Sequence, residues 1–211
     1  KMVSGDEQME SVRLIEGWTW RQWREALAKA PHLRPTTAQL SEEQLMAAIG
    51  APGVAAEGRF FPDTYYYPSG MSDLLILQRA FQRMDTVLRE TWESRDSDLP
   101  LRTPDEALTL ASIVEKETAQ PSEYGLIAGV FVNRLRMNMK LQTDPTVIYG
   151  IGPKFNGNLK RADLLRPTPY NTYVIRGLPP TPIAMPGRGA LKGVASPERT
   201  KALYFVSRND G

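Results

Sequence analysis

The sequence predicts an α+β fold, mostly helical at its centre, with short strands and a long Pro/Gly-rich loop region lining a groove. Three observations carry this. Segments 72–92, 103–118 and 122–135 repeat apolar residues at helical spacing. VRLIEG at 12–17 and ALYFVS at 202–207 read as short strands. Residues 145–197 hold nine of the 17 prolines and seven of the 16 glycines. Proline removes backbone donors and glycine raises the entropy cost of ordering, so this stretch is expected to be mostly loop.

In chain order, the first strand is expected to end at Gly17. Thr19-Trp-Arg-Gln22 has the form of a capping box, in which the Thr and Gln side chains each satisfy a free backbone N–H. The helix behind it carries Trp20, Trp23 and Leu27 on one face. Ser41-Glu-Glu-Gln44 opens a second, short helix that Gly50 closes. His32 stands between prolines in APHLRP, the setting of a loop histidine rather than a catalytic one. Residues 57–70, EGRFFPDTYYYPSG, read as an aromatic loop, either a hydrophobic plug or a platform for stacking sugars or peptides. Leu74, Leu77, Phe81, Met84 and Leu88 then mark a long packing helix from Ser72 to Trp92.

Composition excludes much. Values of 41% hydrophobic and 24% charged residues rule out disorder, collagen and coiled coil. With no cysteine there is no disulfide, thiolate zinc site or cysteine nucleophile. A single histidine leaves no two-histidine metal site. Twenty-six basic against 24 acidic residues, a net charge of +2, do not suggest a nucleic-acid partner. Chemistry must rest on carboxylates, hydroxyls, amides, Lys or Arg, and neither metal nor organic cofactor is expected. No run approaches the roughly 20 apolar residues of a membrane helix. The opening at Lys1 suggests an excised piece from which an anchor has been trimmed.

The most informative segment is TPDEALTLASIVEKET, 103–118. Thr103 can cap, Pro104 suits the first helical position and Glu106 completes a capping box. At 100° per residue, Ala107, Leu110, Ile113 and Val114 define an apolar face, and Glu117 falls near its middle. Glu115 falls at the margin, and Asp105, Thr109, Ser112 and Lys116 fall on the opposite, polar side. A carboxylate on a core-facing stripe is costly to ionise. At the last turn it also faces the negative end of the helix dipole. Both effects hold a proton on Glu117 near neutral pH, as a general acid requires. The same pattern is open to a Glu that emerges into solvent, or one paired to a buried Arg134. Past Pro121, a helix from Ser122 ends in Asn133-Arg134-Leu135, where Asn133 and Arg134 can orient neighbours or cap carbonyls. In LQTDPTVIYG, residues Gln142, Thr143, Asp144 and Tyr149 offer hydrogen-bonding groups of the kind a sugar ring requires. Thr143 or Asp144 can equally be an N-cap.

EGRFFPDTY, ASIVEKET, VFVNRL, LQTDPTVIYG, PYNTY and GLPPTPIAMPG occur in this order, and together they resemble the endolytic murein transglycosylases, the MltG/YceG-like family. The resemblance runs from VRLIEG to ALYFVS. It implies residues 11–211 as the catalytic domain, in two lobes at 11–100 and 101–211, and residues 1–10 as the linker after a LysM-like segment. It also implies a lytic transglycosylase that cuts the β-1,4 MurNAc-GlcNAc bond of peptidoglycan and leaves 1,6-anhydro ends. Glu117 of the Glu117-Thr118 pair would be acid, then base. Substrate contacts would come from Gln142, Thr143, Asp144, Tyr149, Asn171 and Tyr173, supported by Thr118, Asn133 and Arg134. The expected setting is nascent glycan at the periplasmic face of the inner membrane, reached through an N-terminal anchor, with penicillin-binding synthases as partners. Two rivals stand beside this reading. One is a conventional hydrolase pairing Glu117 with Asp144 or Glu123; the other is a non-catalytic glycan-binding module.

Overall fold

The computed structural model describes residues 9–205, and within them the α+β expectation holds: one two-stranded sheet and a set of packed helices. Strand β1 (Met9–Leu14) pairs antiparallel with β2 (Asp63–Pro68) in the register Val12↔Tyr65. Side chains alternate across a strand, so Val12, Leu14, Tyr65 and Tyr67 turn inward while Tyr66 stays exposed. Strand β1 therefore starts and stops three residues earlier than 12–17 suggests. Half of the expected aromatic loop is strand β2, with Phe60, Phe61, Tyr65 and Tyr67 buried as a plug. Residues 202–205 form no strand, and Val206 and Ser207 lie outside the described residues.

Helix α1 (Trp20–Lys29) and helix α2 (Glu42–Ile49) both open with complete capping boxes, on Thr19/Gln22 and Ser41/Gln44. Gly50 closes α2 at φ 99°, in the left-handed region that glycine enters without a Cβ clash. His32 sits in its loop, 2.9 Å from Glu10 and largely exposed. Helix α3 (Asp73–Glu93) follows the expected period, capped by Ser72.

Helix α4 (Pro104–Glu117) is capped by Thr103, whose hydroxyl accepts from the Glu106 N–H at 3.2 Å. The Glu106 carboxylate accepts instead from the Arg102 N–H at 2.6 Å, so the expected box is only half formed. The polar side expected of α4 is also absent at Thr109 and Ser112, which are buried. The helix is covered by α3, by helix α5 (Tyr124–Arg136) and by helix α8 (Arg188–Ala195). Ser112 is satisfied internally: its hydroxyl donates to the Thr109 carbonyl and accepts from the Ile183 N–H.

A 3₁₀ turn at Pro121–Glu123 leads into α5, and helices α6 (Asp144–Ile151) and α7 (Arg161–Leu165) interrupt the loops beyond it. Within the Pro/Gly-rich stretch α8 is a core helix that composition conceals. Ala190, Leu191 and Val194 bury one stripe. A Cβ at Gly189 or Gly193 would stand 2.9 Å from Tyr124, so these glycines permit close packing on α5.

Two apolar clusters result. One holds Val12, Leu14, Trp23, Leu45, Phe60, Tyr67, Ile76 and Leu77 under the sheet, α1 and α2. The other holds Met84, Leu108, Leu110, Ile113, Phe131 and Leu191 between α3, α4, α5 and α8. Helix α3 contributes to both. No helix among the described residues is long and apolar enough to cross a membrane.

Candidate active site

Helix α4 ends on Glu117 in the wall of a cleft of about 550 Å³, also lined by Glu16, Trp18, Glu115, Thr118 and Tyr124. Glu117 is half-buried. Burial is the main influence on its carboxyl and raises its proton affinity above the ordinary value. A hydrogen bond from Thr143 opposes this, the negative charge of Asp144 adds to it, and the positive charge of Arg134 opposes it. The Thr143 hydroxyl donates to Glu117 Oε1. Among the described residues Oε2 has no hydrogen-bond partner.

Thr143 occupies the N-cap position of α6 without capping it by its side chain. It is turned instead toward Glu117 and held from behind: its N–H donates to Thr172 Oγ1 at 3.0 Å, and Thr172 and Thr146 share a 2.8 Å hydroxyl contact. All three threonines are buried. Asp144, exposed at the first position of α6, accepts from the Tyr173 hydroxyl at 2.6 Å. Gln142 is exposed at φ 50°, and its N–H donates to the Thr172 carbonyl. Thus Glu117, Gln142, Thr143, Asp144 and Tyr173 are gathered at one place.

Arg134 is buried but does not pair with Glu117. Its Nε donates to the Leu203 carbonyl at 2.6 Å, its Nη1 to the Leu141 carbonyl, and Tyr204 lies over it at 4.9 Å. The guanidinium thus supports the 141–143 turn from beneath. Asn133 donates to the carbonyls of Thr200 (2.7 Å) and Ala202 (3.0 Å), fixing the same C-terminal segment on α5. In the cleft wall the Thr118 hydroxyl donates to Glu123 Oε2 at 2.5 Å and accepts from the Gln120 N–H.

Two of the sequence candidates lie elsewhere. Asn171 is 1% exposed, and its amide donates to the carbonyls of Asp163, Leu164 and Arg166. Tyr149 belongs to a second cleft, where its hydroxyl donates to Glu57 Oε2 at 3.1 Å.

Glu57 and Thr172 escaped sequence reasoning, and Glu115, the competing candidate at the margin of the apolar face, takes a different role. Glu57 is buried, also accepts from the Trp20 N–H at 2.9 Å, and is pushed up to about 7 by desolvation. Its only sequence signal was its place at the head of EGRFFPDTY. Glu115 accepts from the Tyr124 hydroxyl at 2.7 Å and from the Gly187 N–H at 2.8 Å, and burial raises its proton affinity too. With both oxygens occupied it is a brace between α4 and α8, whereas Glu117 keeps one oxygen open. The only sequence signal for Thr172 was its place in PYNTY, since its partners are distant in the chain. No cluster of His, Asp and Glu able to hold a metal occurs among the described residues.

A family model described as the YceG-like family matches residues 1–211. A protein of Bacillus subtilis (strain 168) named endolytic murein transglycosylase is 36% identical over 155 residues, which is 74% of this chain and 42% of the relative. A protein of the same name from Streptococcus pneumoniae is 34% identical over 157 residues, 72% of this chain and 28% of the relative. The chain thus spans less than half the length of these relatives. A crystal structure of a yceG-like protein from Listeria monocytogenes superposes with a TM-score of 0.76 at 27% identity, covering 94% of this chain and 70% of the other.

Proposed function

We infer from membership of the YceG-like family, to which this chain belongs, and from the setting of Glu117 that the domain is a lytic transglycosylase acting on peptidoglycan glycan strands. The name carried by the relatives, endolytic murein transglycosylase, supports the substrate class. The single observation that carries the chemistry is a half-buried glutamic acid at a helix end, in the wall of a cleft, with one oxygen held by Thr143.

In the proposed reaction Glu117, protonated, donates to the glycosidic oxygen as the bond from muramyl C1 breaks. The departing sugar leaves with that proton on its hydroxyl. The oxocarbenium-like centre is stabilised by the substrate's own acetamido group. Glu117, now a carboxylate, takes the proton of the muramyl C6 hydroxyl as that oxygen bonds to C1, closing the 1,6-anhydro ring and regenerating the acid. One carboxylate serves because the nucleophile belongs to the substrate; ordinary glycosidases need two, roughly 5–9.5 Å apart. On this reading Gln142, Asp144 and Tyr173, beside the Glu117–Thr143 pair, touch the sugars, while Thr143 and Arg134 hold the 141–144 turn and Asn171 accepts from the Tyr173 N–H. The natural strands are nascent glycan at the periplasmic membrane face, beside the penicillin-binding synthases.

One observation favours a second reading: Asp144 is near enough to influence Glu117 and could activate a water as a hydrolase would. Mass spectrometry of products from purified sacculi decides. Anhydro-muramyl ends are expected; reducing muramyl ends, heavier by one water, would replace transglycosylation by hydrolysis. Glu117→Gln should lower the rate by at least about 100-fold, the usual contribution of a general acid. Undiminished digestion by that variant would remove Glu117 from the mechanism, whereas no digestion by either form with binding retained would leave glycan binding as the domain's role.

A further inference from the structure

The cleft at Glu117 accounts for only part of the concave surface. A larger one, about 800 Å³, opens between the first turn of α1, the 145–155 arm and the loops at 170 and 181–183. Two features join them. Lys116, the residue before Glu117, stands in the wall of both. The stretch from Glu16 to Gln22 lines the first cleft with Gly17 and Trp18, then the second with Thr19 and Trp20. They are two reaches of one furrow.

The second reach is furnished differently from the first. Its floor is Glu57, tied to the Trp20 N–H and the Tyr149 hydroxyl. Tyr149 lies against Tyr170, ring centres 4.9 Å apart, and the Tyr170 hydroxyl meets Thr181 at 2.8 Å. Phe155 and Ile148 complete an apolar side. Charges at the margin are mixed, Glu42 against Arg21 and Lys116, so no ion of either sign is favoured. Aromatic and apolar faces over a few fixed hydrogen-bonding groups suit a ring with an apolar C–H face and polar edges. Both Glu57 oxygens are already engaged, so the floor of this reach offers no free carboxylate to the ammonium group of a peptide stem.

We propose that the furrow over Glu57 and Tyr149 binds a distal stretch of the same glycan strand, N-acetyl sugar rings lying against its aromatic wall while the bond to be cut lies at Glu117. This rests on the reading that Glu117 acts on a glycan, and it adds where the rest of the polymer goes. Tyr149 thereby enters as a binding residue remote from the reacting bond. A cut inside a long strand is favoured when sugars on one side of it fill this reach, because binding energy far from the reacting centre helps to hold it in place.

The test uses peptide-free glycan strands of graded length and the Glu117→Gln protein, which holds them uncut. Affinity should rise with length until the second reach is filled. Ala55→Trp, on an exposed position of the rim, fills that reach. It should weaken the long strands by about tenfold, the scale of one lost aromatic contact, and leave the shortest binders unchanged. Phe155→Ala, which removes wall instead of adding bulk, should act in the same direction. Equal binding of long strands by all three proteins overturns the proposal. So does a loss confined to strands that carry peptide stems, which would assign the reach to the peptide. Failure of the transglycosylase reading looks different: sacculi stay undigested by the wild-type protein while the length dependence persists. A protein that binds no strand at all brings down both.

Discussion

At Glu117 three influences beyond burial act on one proton, and each can be removed separately. The Thr143 hydroxyl favours the carboxylate, Asp144 opposes it, and Arg134 favours it from its carbonyl-bound position. If Glu117 is the acid, activity falls as pH rises through its raised value. Asp144→Asn should move that alkaline fall to lower pH, and Thr143→Val should move it to higher pH while lowering the rate. Shifts of the same sign in both variants, read from pH-rate profiles, would disprove the assignment. Glu57 allows a second test, on stability. Its proton is held more tightly in the folded chain (about 7) than in the unfolded one (4.5). Its contribution is therefore whole below 4.5 and fades as pH rises toward and past 7, by about 3 kcal/mol in all. Glu57→Gln should gain on the wild type in melting temperature between pH 5 and pH 8. A constant gap across that range would show that the side chain ionises freely. The half-buried position of Glu117 at the end of α4 was legible from sequence because one helical period decides its face. Its partnership with Thr143 was not, since nothing local links residues 26 apart.

Among the elements, those with local signatures read correctly: both complete capping boxes, the period of α3, and the Gly50 stop. Those decided by partners did not. Strand β2 hid in an aromatic run flanked by prolines because its pairing is with β1, some fifty residues away. Helix α8 hid in a glycine-rich stretch because its glycines serve Tyr124 rather than flexibility. ALYFVS at 202–207 looked like a strand, yet its described residues, 202–205, belong to a segment from Glu198 that lies along α5 and pairs with no strand among the described residues. Glu198 donates its N–H to the Gly125 carbonyl, and Phe205 packs edge-on against Phe131. A Cβ at Gly129 would stand 2.4 Å from the Glu198 carbonyl oxygen. Gly129→Ala should therefore lift this segment and cost about 1–3 kcal/mol, as overpacking does. Thermal denaturation measures it, and an unchanged midpoint would mean that the segment contributes nothing to stability. Because Arg134 is anchored to the Leu203 carbonyl, the same variant should also disturb the turn that carries Thr143.

For the whole molecule, the two apolar clusters raise the question of whether they melt apart. Helix α3 places Ile76, Leu77 and Ala80 in one, and Met84, Val87 and Leu88 in the other. Met185 from the C-terminal half completes the first cluster, and Phe61 from the N-terminal half enters the second. A single cooperative transition is expected. Trp92 lies against the second cluster and Trp23 inside the first. Fluorescence from a protein with Trp92 as its sole tryptophan should coincide with loss of helix followed by circular dichroism; separated midpoints would show independent halves.

That shared rod of twenty-one residues has a bearing on how a polymer is handled. One continuous helix packs into both apolar clusters, so a hinge between the two halves would have to bend it. On the proposed reading a sugar chain lying in both reaches passes Lys116 and supplies the bend itself, so slack strands should bind better than strands held taut by crosslinks.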